Sequence, residues 1–170
     1  MKWLKFGLRD ALLVALTAAV WVFAEQRPDS ATPWWLSVAA GVLLGVSGFV
    51  LHEWGHLLGA RLSGGTAVPA RSLRSIFLFA FDVEHSTARQ FLAMSYGGYA
   101  ASILGLGAVI ALASLDRLSG QVALGFTGFG LLVTAVLEIP TTIRVLRGDD
   151  LPAGFAYVGT PPPRNSDAPD

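Results

Sequence analysis

The sequence predicts an all-α integral membrane protein with about four transmembrane helices and a short cytoplasmic-side hairpin or amphipathic insert between helices 2 and 3. Hydrophobic residues make up 53% of the 170 residues and charged residues only 14%, against roughly 25% charged residues in ordinary soluble domains. The mean hydropathy is +0.56. This balance excludes most soluble classes, and a net charge of zero excludes the basic footprint of a nucleic-acid-binding protein.

Four apolar segments are the candidate transmembrane helices, at residues 8–24, 34–62, 91–115 and 122–146. The last three are long enough to cross a hydrocarbon layer of about 30 Å. The first is short, and its basic start and apolar stretch ending at Ala24 also resemble a cleaved signal peptide. Because Trp21 and Phe23 are bulky residues near the cleavage position, a retained helix is the favoured interpretation of residues 1–24.

The lysine and arginine residues predict the orientation of these segments. If the segments alternate in direction, ten of the twelve basic residues lie on one side of the membrane. Those ten are Lys2, Lys5, Arg9, Arg61, Arg71, Arg74, Arg89, Arg144, Arg147 and Arg164. Only Arg27 and Arg117 lie on the other side. Basic residues accumulate in cytoplasmic loops, so the pattern predicts a multi-pass protein of the cell membrane with both termini in the cytoplasm.

Small residues predict where the helices pack closely. Gly41 and Gly45 are four residues apart, as are Gly97, Ala101 and Gly105, and each set forms a smooth stripe along one helix. Such stripes allow another backbone to approach.

Residues 63–89 are too polar to span a membrane and form the predicted insert. Gly64-Gly65 and Pro69 interrupt the helical pattern, and residues 75–84 are rich in apolar residues with few charges. At the other end, the polar, proline-rich residues 156–170 are predicted to form a disordered cytoplasmic tail. Residues 1–155 are therefore predicted to form one membrane domain.

The segment His52-Glu53-Trp54-Gly55-His56 carries the predicted chemistry. In a helix, His52 and His56 lie one turn apart on the same face, the spacing that lets two imidazoles bind one zinc ion. Glu53 is placed to take a proton from water, and zinc lowers the pKa of a bound water to about 7. Three ionisable groups near the end of an apolar helix are costly unless they bind a metal, pair or face a polar cavity.

The third protein ligand of this predicted zinc ion stays open among downstream residues. Glu138 lies within the fourth apolar segment, where a carboxylate is costly without a partner. Asp149 and Asp150 follow that segment at its cytoplasmic end, which is also the end of the histidine helix. His85 is a more remote option. Because the chain has no cysteine, histidine and carboxylate ligands must suffice.

A His-Glu-x-x-His segment in a membrane helix, an acidic pair far downstream and a glycine-rich helix between them resemble the site-2 protease family. The resemblance is closest to the compact bacterial branch without a PDZ domain and covers roughly residues 41–150. It implies that His52 and His56 bind zinc, that Glu53 is the general base, and that Asp150, or less favoured Asp149, is the third ligand. Ser102 stands where many members carry an asparagine, so the oxyanion-stabilising group is not assigned.

The resemblance implies a zinc-dependent endopeptidase that cleaves membrane proteins in or near their transmembrane segments. An unwound substrate segment is expected to add as a strand to an edge of residues 75–84. One alternative is an inactive membrane scaffold or partner subunit that retains a structural metal or polar cluster. Another is a different type of membrane metalloprotease, in which Glu138 is the third ligand.

Overall fold

The computed structural model describes residues 1–28, 31–154 and 156–160, which form long helices and a small sheet. The helices are α1 (Lys2–Glu25), α2 (Trp34–Leu62), α3 (Ala88–Leu112), α4 (Leu118–Leu137) and the shorter α5 (Ile139–Leu146). With α4 and α5 taken as one segment, four helical segments are long and apolar enough to cross a membrane. The predicted helical segments are confirmed, although α1 already begins at Lys2.

Helix α2 lies at the centre of the bundle and packs against α1, α3 and α4. Gly41 and Gly45 face α4, and a Cβ atom at Gly41 would lie 2.6 Å from a backbone oxygen of that helix. Gly97 of α3 faces Gly55 of α2 in the same way, whereas Gly105 has no neighbouring atom within 4 Å of a Cβ position. The close packing predicted from small residues is therefore confirmed for Gly41, Gly45 and Gly97.

Polar side chains connect α1 to the rest of the bundle at both ends. Arg117, just before α4, donates to the backbone oxygen of Glu25 at 2.7 Å, and the hydroxyl of Ser119 donates to the Glu25 carboxylate at 2.7 Å. At the opposite end, Arg9 donates to the backbone oxygens of Leu73 and Ser75 at 2.8 and 3.0 Å. Arg9 therefore anchors the insert between α2 and α3 to the first helix.

The insert forms part of a three-stranded sheet with the order β1-β2-β3. Strand β1 (Ala67–Pro69) is antiparallel to β2 (Phe79–Asp82), which confirms the hairpin predicted for this region. Strand β3 (Tyr157–Val158) runs parallel to β2. It comes from the part of the chain predicted to be a disordered tail, so the ordered chain extends beyond residue 155. Residues 161–170 of that tail lie outside the described residues.

Strand β3 occupies an edge of β2 at which a substrate segment was expected to add as a strand. Both edges of β2 are already paired, one with β1 and the other with β3. A substrate segment cannot add directly to β2 while both neighbours are in place. The predicted strand addition at residues 75–84 therefore does not hold for β2.

An apolar core fixes the sheet against the helices close to the histidines. Leu78, Phe79 and Phe81 from the region of β2 pack with Leu57 of α2 and Phe91 of α3. Phe81 and Phe91 are each 1% exposed, with their ring centroids 6.0 Å apart. This packing holds Leu78 above the part of α2 that carries the predicted metal ligands.

Candidate metal centre

His52 and His56 lie on one face of α2 and are 4% and 8% exposed. The Nδ1 atom of His56 lies 3.0 Å from the backbone oxygen of Met94. The Nδ1 atom of His52 lies 3.1 Å from the backbone oxygen of Gly98. Because a backbone oxygen can only accept, each Nδ1 carries a hydrogen, and each Nε2 of the neutral ring presents a lone pair.

Glu138 joins the two histidines, so that three potential ligand atoms converge. The Nε2 atoms of His52 and His56 are 2.9 Å apart. One carboxylate oxygen of Glu138 lies 3.2 Å from His52 Nε2, and the other lies 3.2 Å from His56 Nε2. With neutral imidazoles and an ionised carboxylate, all these atoms are acceptors, and a bound cation or proton must hold them together. The group could hold a metal ion.

A helix break places Glu138 at this position. Helix α4 ends at Leu137 and α5 begins at Ile139, with Pro140 in the first turn of α5. Proline has no backbone N–H, and its ring clashes with the carbonyl four residues earlier, so a continuous helix is disfavoured there. The carboxylate therefore projects from the joint between α4 and α5.

The structure does not bring the other predicted third ligands to the histidines. Asp149 and Asp150 are exposed and follow the end of α5, where the backbone N–H of Asp149 bonds to the oxygen of Arg144. His85 lies 3.0 Å from a carboxylate oxygen of Asp82 and is also exposed. Glu138, which the sequence left as an alternative, is the acidic residue that joins His52 and His56.

Glu53 lies beside this group, and one of its two carboxylate oxygens accepts a hydrogen bond from the backbone. The residue is 8% exposed, and its Oε2 accepts a hydrogen bond from the backbone N–H of Leu78 at 2.9 Å. Among the residues that the structure describes, none donates to Oε1. The β2 region thus orients the carboxylate by a single bond and leaves one oxygen for water or substrate.

A cavity of about 370 Å³ adjoins these side chains. The ionisable side chains of Glu53, His56 and Glu138 and the hydroxyl-bearing residues Ser95, Thr141 and Thr142 form its polar part. Most of the remaining wall is apolar and includes Phe77 and Phe79 from the β2 region. Residues 152–154, 156 and 157 also line the cavity, so the C-terminal segment forms part of the site. A wall of this kind suits a ligand with apolar groups.

Several residues that shape the site have only weak signals in the sequence. Ser102 lies 2.8 Å from His52 Nδ1 and supports the orientation of that ring. A Cβ atom at Gly98 would collide with the ring of His56, so glycine is required for the imidazole to lie against α3. A serine and a glycine facing one side of an apolar helix are the only sequence features that could have pointed to these contacts.

Comparison with protein-family models, curated proteins and solved structures finds no match to this chain.

Proposed function

We propose that the protein is a zinc-dependent intramembrane endopeptidase that hydrolyses peptide bonds in or near the transmembrane segments of membrane proteins. One observation carries the proposal: the acceptor atoms of His52, His56 and Glu138 converge beside a cavity that Glu53 also lines. The resemblance of the sequence to site-2 proteases supports the same class of reaction. Glu138 would then take the place of the downstream aspartate of that family.

The spacing of the three side chains supports zinc as the metal ion. With zinc–ligand bonds of about 2.0–2.1 Å, neighbouring ligand atoms of a tetrahedral site lie roughly 3.3 Å apart. Here the two Nε2 atoms are 2.9 Å apart, and each lies 3.2 Å from a different oxygen of Glu138. One ligand atom from each residue therefore lies within 4.8 Å of the others. Hydrogen bonds at both Nδ1 atoms fix the ring orientations in the way typical of metal-binding histidines. Two histidines and one glutamate leave a fourth position open, as catalytic zinc sites do.

The chain's own residues account for the proton transfers of hydrolysis. When bound, zinc supplies Lewis-acid polarisation of the scissile carbonyl and of water. Glu53 takes a proton from the attacking water as the new carbon–oxygen bond forms. It then passes that proton to the amide nitrogen as the carbon–nitrogen bond breaks, which yields a carboxylic acid and an amine. The hydrogen bond from Leu78 holds Glu53 in place during both steps.

Replacement of Glu53 by glutamine tests this proposal, because it keeps the size of the side chain and removes the base. We expect Glu53→Gln to retain zinc and the fold, since Glu53 is not a ligand. Cleavage of a membrane substrate should fall by at least roughly a hundredfold, the low end of general-base contributions. Zinc content, melting temperature and the cleavage rate of the purified protein in detergent are the measurements.

Two further variants serve as controls for this experiment. Glu84→Gln removes an exposed carboxylate outside the cavity and should leave all three measurements unchanged. His52→Ala should lose both zinc and cleavage. If Glu53→Gln cleaves as fast as the wild type, this group is not the active site.

The alternative function is a membrane scaffold with a structural metal or polar cluster. The contacts of Glu138 are compatible with a scaffold, because a proton shared among His52, His56 and Glu138 would provide hydrogen bonds between these side chains without a metal. A scaffold has no use for the carboxylate of Glu53 beside a cavity. Stoichiometric zinc together with activity dependent on Glu53 would exclude the scaffold, and their joint absence would support it.

A further inference from the structure

Tyr157 contributes a phenol group to the cavity beside His56 and Glu138, although it lies far from α2 in the sequence. Strand β3 holds it there, in register with Phe81 of β2. The backbone N–H groups of Phe81 and Val83 donate to the oxygens of Ala156 and Val158 at 3.1 and 3.0 Å. The side chain lines the same cavity as Glu53, His56 and Glu138.

The hydroxyl of Tyr157 is available as a hydrogen-bond donor. Within residues 1–28, 31–154 and 156–160, its hydroxyl makes no hydrogen bond, and its ring packs against Phe91 with the centroids 6.1 Å apart. Burial, together with the nearby charge of Glu138, raises the pKa of Tyr157 to about 12. The phenol therefore keeps its proton at neutral pH and lies within electrostatic range of the proposed metal group.

The other hydroxyl groups around the site are mostly engaged elsewhere. Ser102 contacts His52 at 2.8 Å. Thr142 bonds to Tyr99 at 2.6 Å and donates to the backbone oxygen of Glu138. Ser95 also lines the cavity and, within the described part of the chain, its side chain makes no hydrogen bond, but the side chain is short.

We propose that the Tyr157 hydroxyl donates a hydrogen bond to the carbonyl oxygen of the scissile peptide bond. This inference rests on the proposed peptidase function and assigns the oxyanion-stabilising group that the sequence left open. Peptide hydrolysis places a negative charge on that oxygen in the transition state, and a neutral donor already fixed in the cavity stabilises it. The C-terminal strand β3 is then part of the catalytic apparatus and a wall of the cavity.

The test compares Tyr157→Phe with Tyr96→Phe, each of which removes one phenol hydroxyl. Tyr96 is 50% exposed and lies on α3. Two probes are used with zinc-loaded protein in detergent: β-casein as an unfolded substrate, and a phosphonamidate peptide that mimics the tetrahedral transition state. Zinc content and melting temperature are measured for every variant.

For Tyr157→Phe, we expect kcat to fall roughly tenfold to a hundredfold with KM unchanged. This is less than the roughly 10²–10³ lost with a serine-protease oxyanion donor, because the metal ion shares the charge. Phosphonamidate affinity should fall by a similar factor, with zinc content and melting temperature unaltered. Tyr96→Phe should match the wild type throughout.

Several results would overturn the assignment to Tyr157. Tyr157→Phe could show the kinetics and phosphonamidate affinity of the wild type while Glu53→Gln is inactive. That result would exclude Tyr157 from the mechanism but would still support the peptidase function. Loss of activity in Ser95→Ala in place of Tyr157→Phe would transfer the role to Ser95. Faster cleavage by Tyr157→Phe would identify β3 as an obstruction. A wild type that neither cleaves β-casein nor binds the phosphonamidate would overturn the peptidase function itself.

Discussion

Glu138 is the residue that distinguishes the group able to hold a metal ion in the structure from the ligand set implied by the family resemblance. Its carboxylate lies 3.2 Å from both histidine Nε2 atoms, whereas Asp149 and Asp150 are exposed. We expect Glu138→Gln to weaken zinc binding by at least roughly tenfold to a hundredfold, the loss caused by removing even an outer-shell partner. Zinc retained after dialysis against a competing chelator measures this loss.

Asp149→Asn and Asp150→Asn are the matched controls for Glu138→Gln, since each also converts one carboxylate to an amide. Both should retain zinc at the wild-type level. Loss of zinc from Asp150→Asn with retention by Glu138→Gln would restore the ligand set implied by the resemblance.

At the scale of single residues, the sequence predicts side chains that belong to a short local pattern. His52, Glu53 and His56 were predictable because the helical repeat alone places them together. Ser102 and Tyr157 were not, because their roles depend on contacts with residues far away in the chain. Ser102 needs the close crossing of α2 and α3, and Tyr157 needs β3 to pair with β2.

The packing of α2 against α4 provides a test at the scale of elements. A Cβ atom at Gly41 would lie 2.6 Å from a backbone oxygen and 2.7 Å from Val122, whereas Gly48 of the same helix has no such neighbour within 4 Å. We expect Gly41→Val to destabilise the protein by roughly 1–3 kcal/mol, the usual cost of overpacking. Gly48→Val introduces the same side chain and should change stability little.

Unfolding of the two glycine variants in mixed micelles of increasing denaturing-detergent content measures their relative stability. Gly41 and Gly48 lie eleven and four residues before His52 on α2, so zinc content is measured to detect any indirect damage to the metal ligands. Equal stability of Gly41→Val and Gly48→Val would contradict the close α2–α4 contact.

The helical elements also explain why Glu138, and not Asp149 or Asp150, lies beside the histidines. The prediction compared the membrane depth of Asp149 and Asp150 with that of the last residues of α2. The two histidines lie well before those last residues. His52 and His56 stand ten and six residues before Leu62, and Glu138 stands eight residues before Leu146. At about 1.5 Å per residue, Glu138 is therefore at the depth of the histidines.

The distribution of basic residues leads to a prediction for the whole molecule. A reporter inserted after Thr32, between α1 and α2, should be outside the cell, and one fused after Thr160 should be cytoplasmic, because ten of twelve basic residues lie on the predicted cytoplasmic side. Accessibility of each reporter to a membrane-impermeant reagent measures its location. An external reporter after Thr160 would contradict the predicted orientation.

At the scale of the whole molecule, hydropathy predicts the number of long helices and their approximate extents, because each apolar segment must be long enough for a bilayer. The sheet was only partly predictable. The β1–β2 hairpin is local, whereas β3 has two residues and pairs with a strand more than seventy residues earlier in the chain. No periodic pattern can appear in a strand of that length.

The meeting of two helical segments at His52, His56 and Glu138 has a consequence for the amount of the protein in the cell. In the proposed site, helix α2 would supply two zinc ligands and the joint between α4 and α5 the third. Bound zinc would then hold together parts of the chain that are far apart in sequence. An ion that binds only the folded form stabilises it in proportion to the logarithm of its free concentration. Zinc supply would then govern the abundance of this protein as well as its activity. When zinc is scarce, more of the protein would lack the ion, unfold more often and be degraded by quality-control proteases.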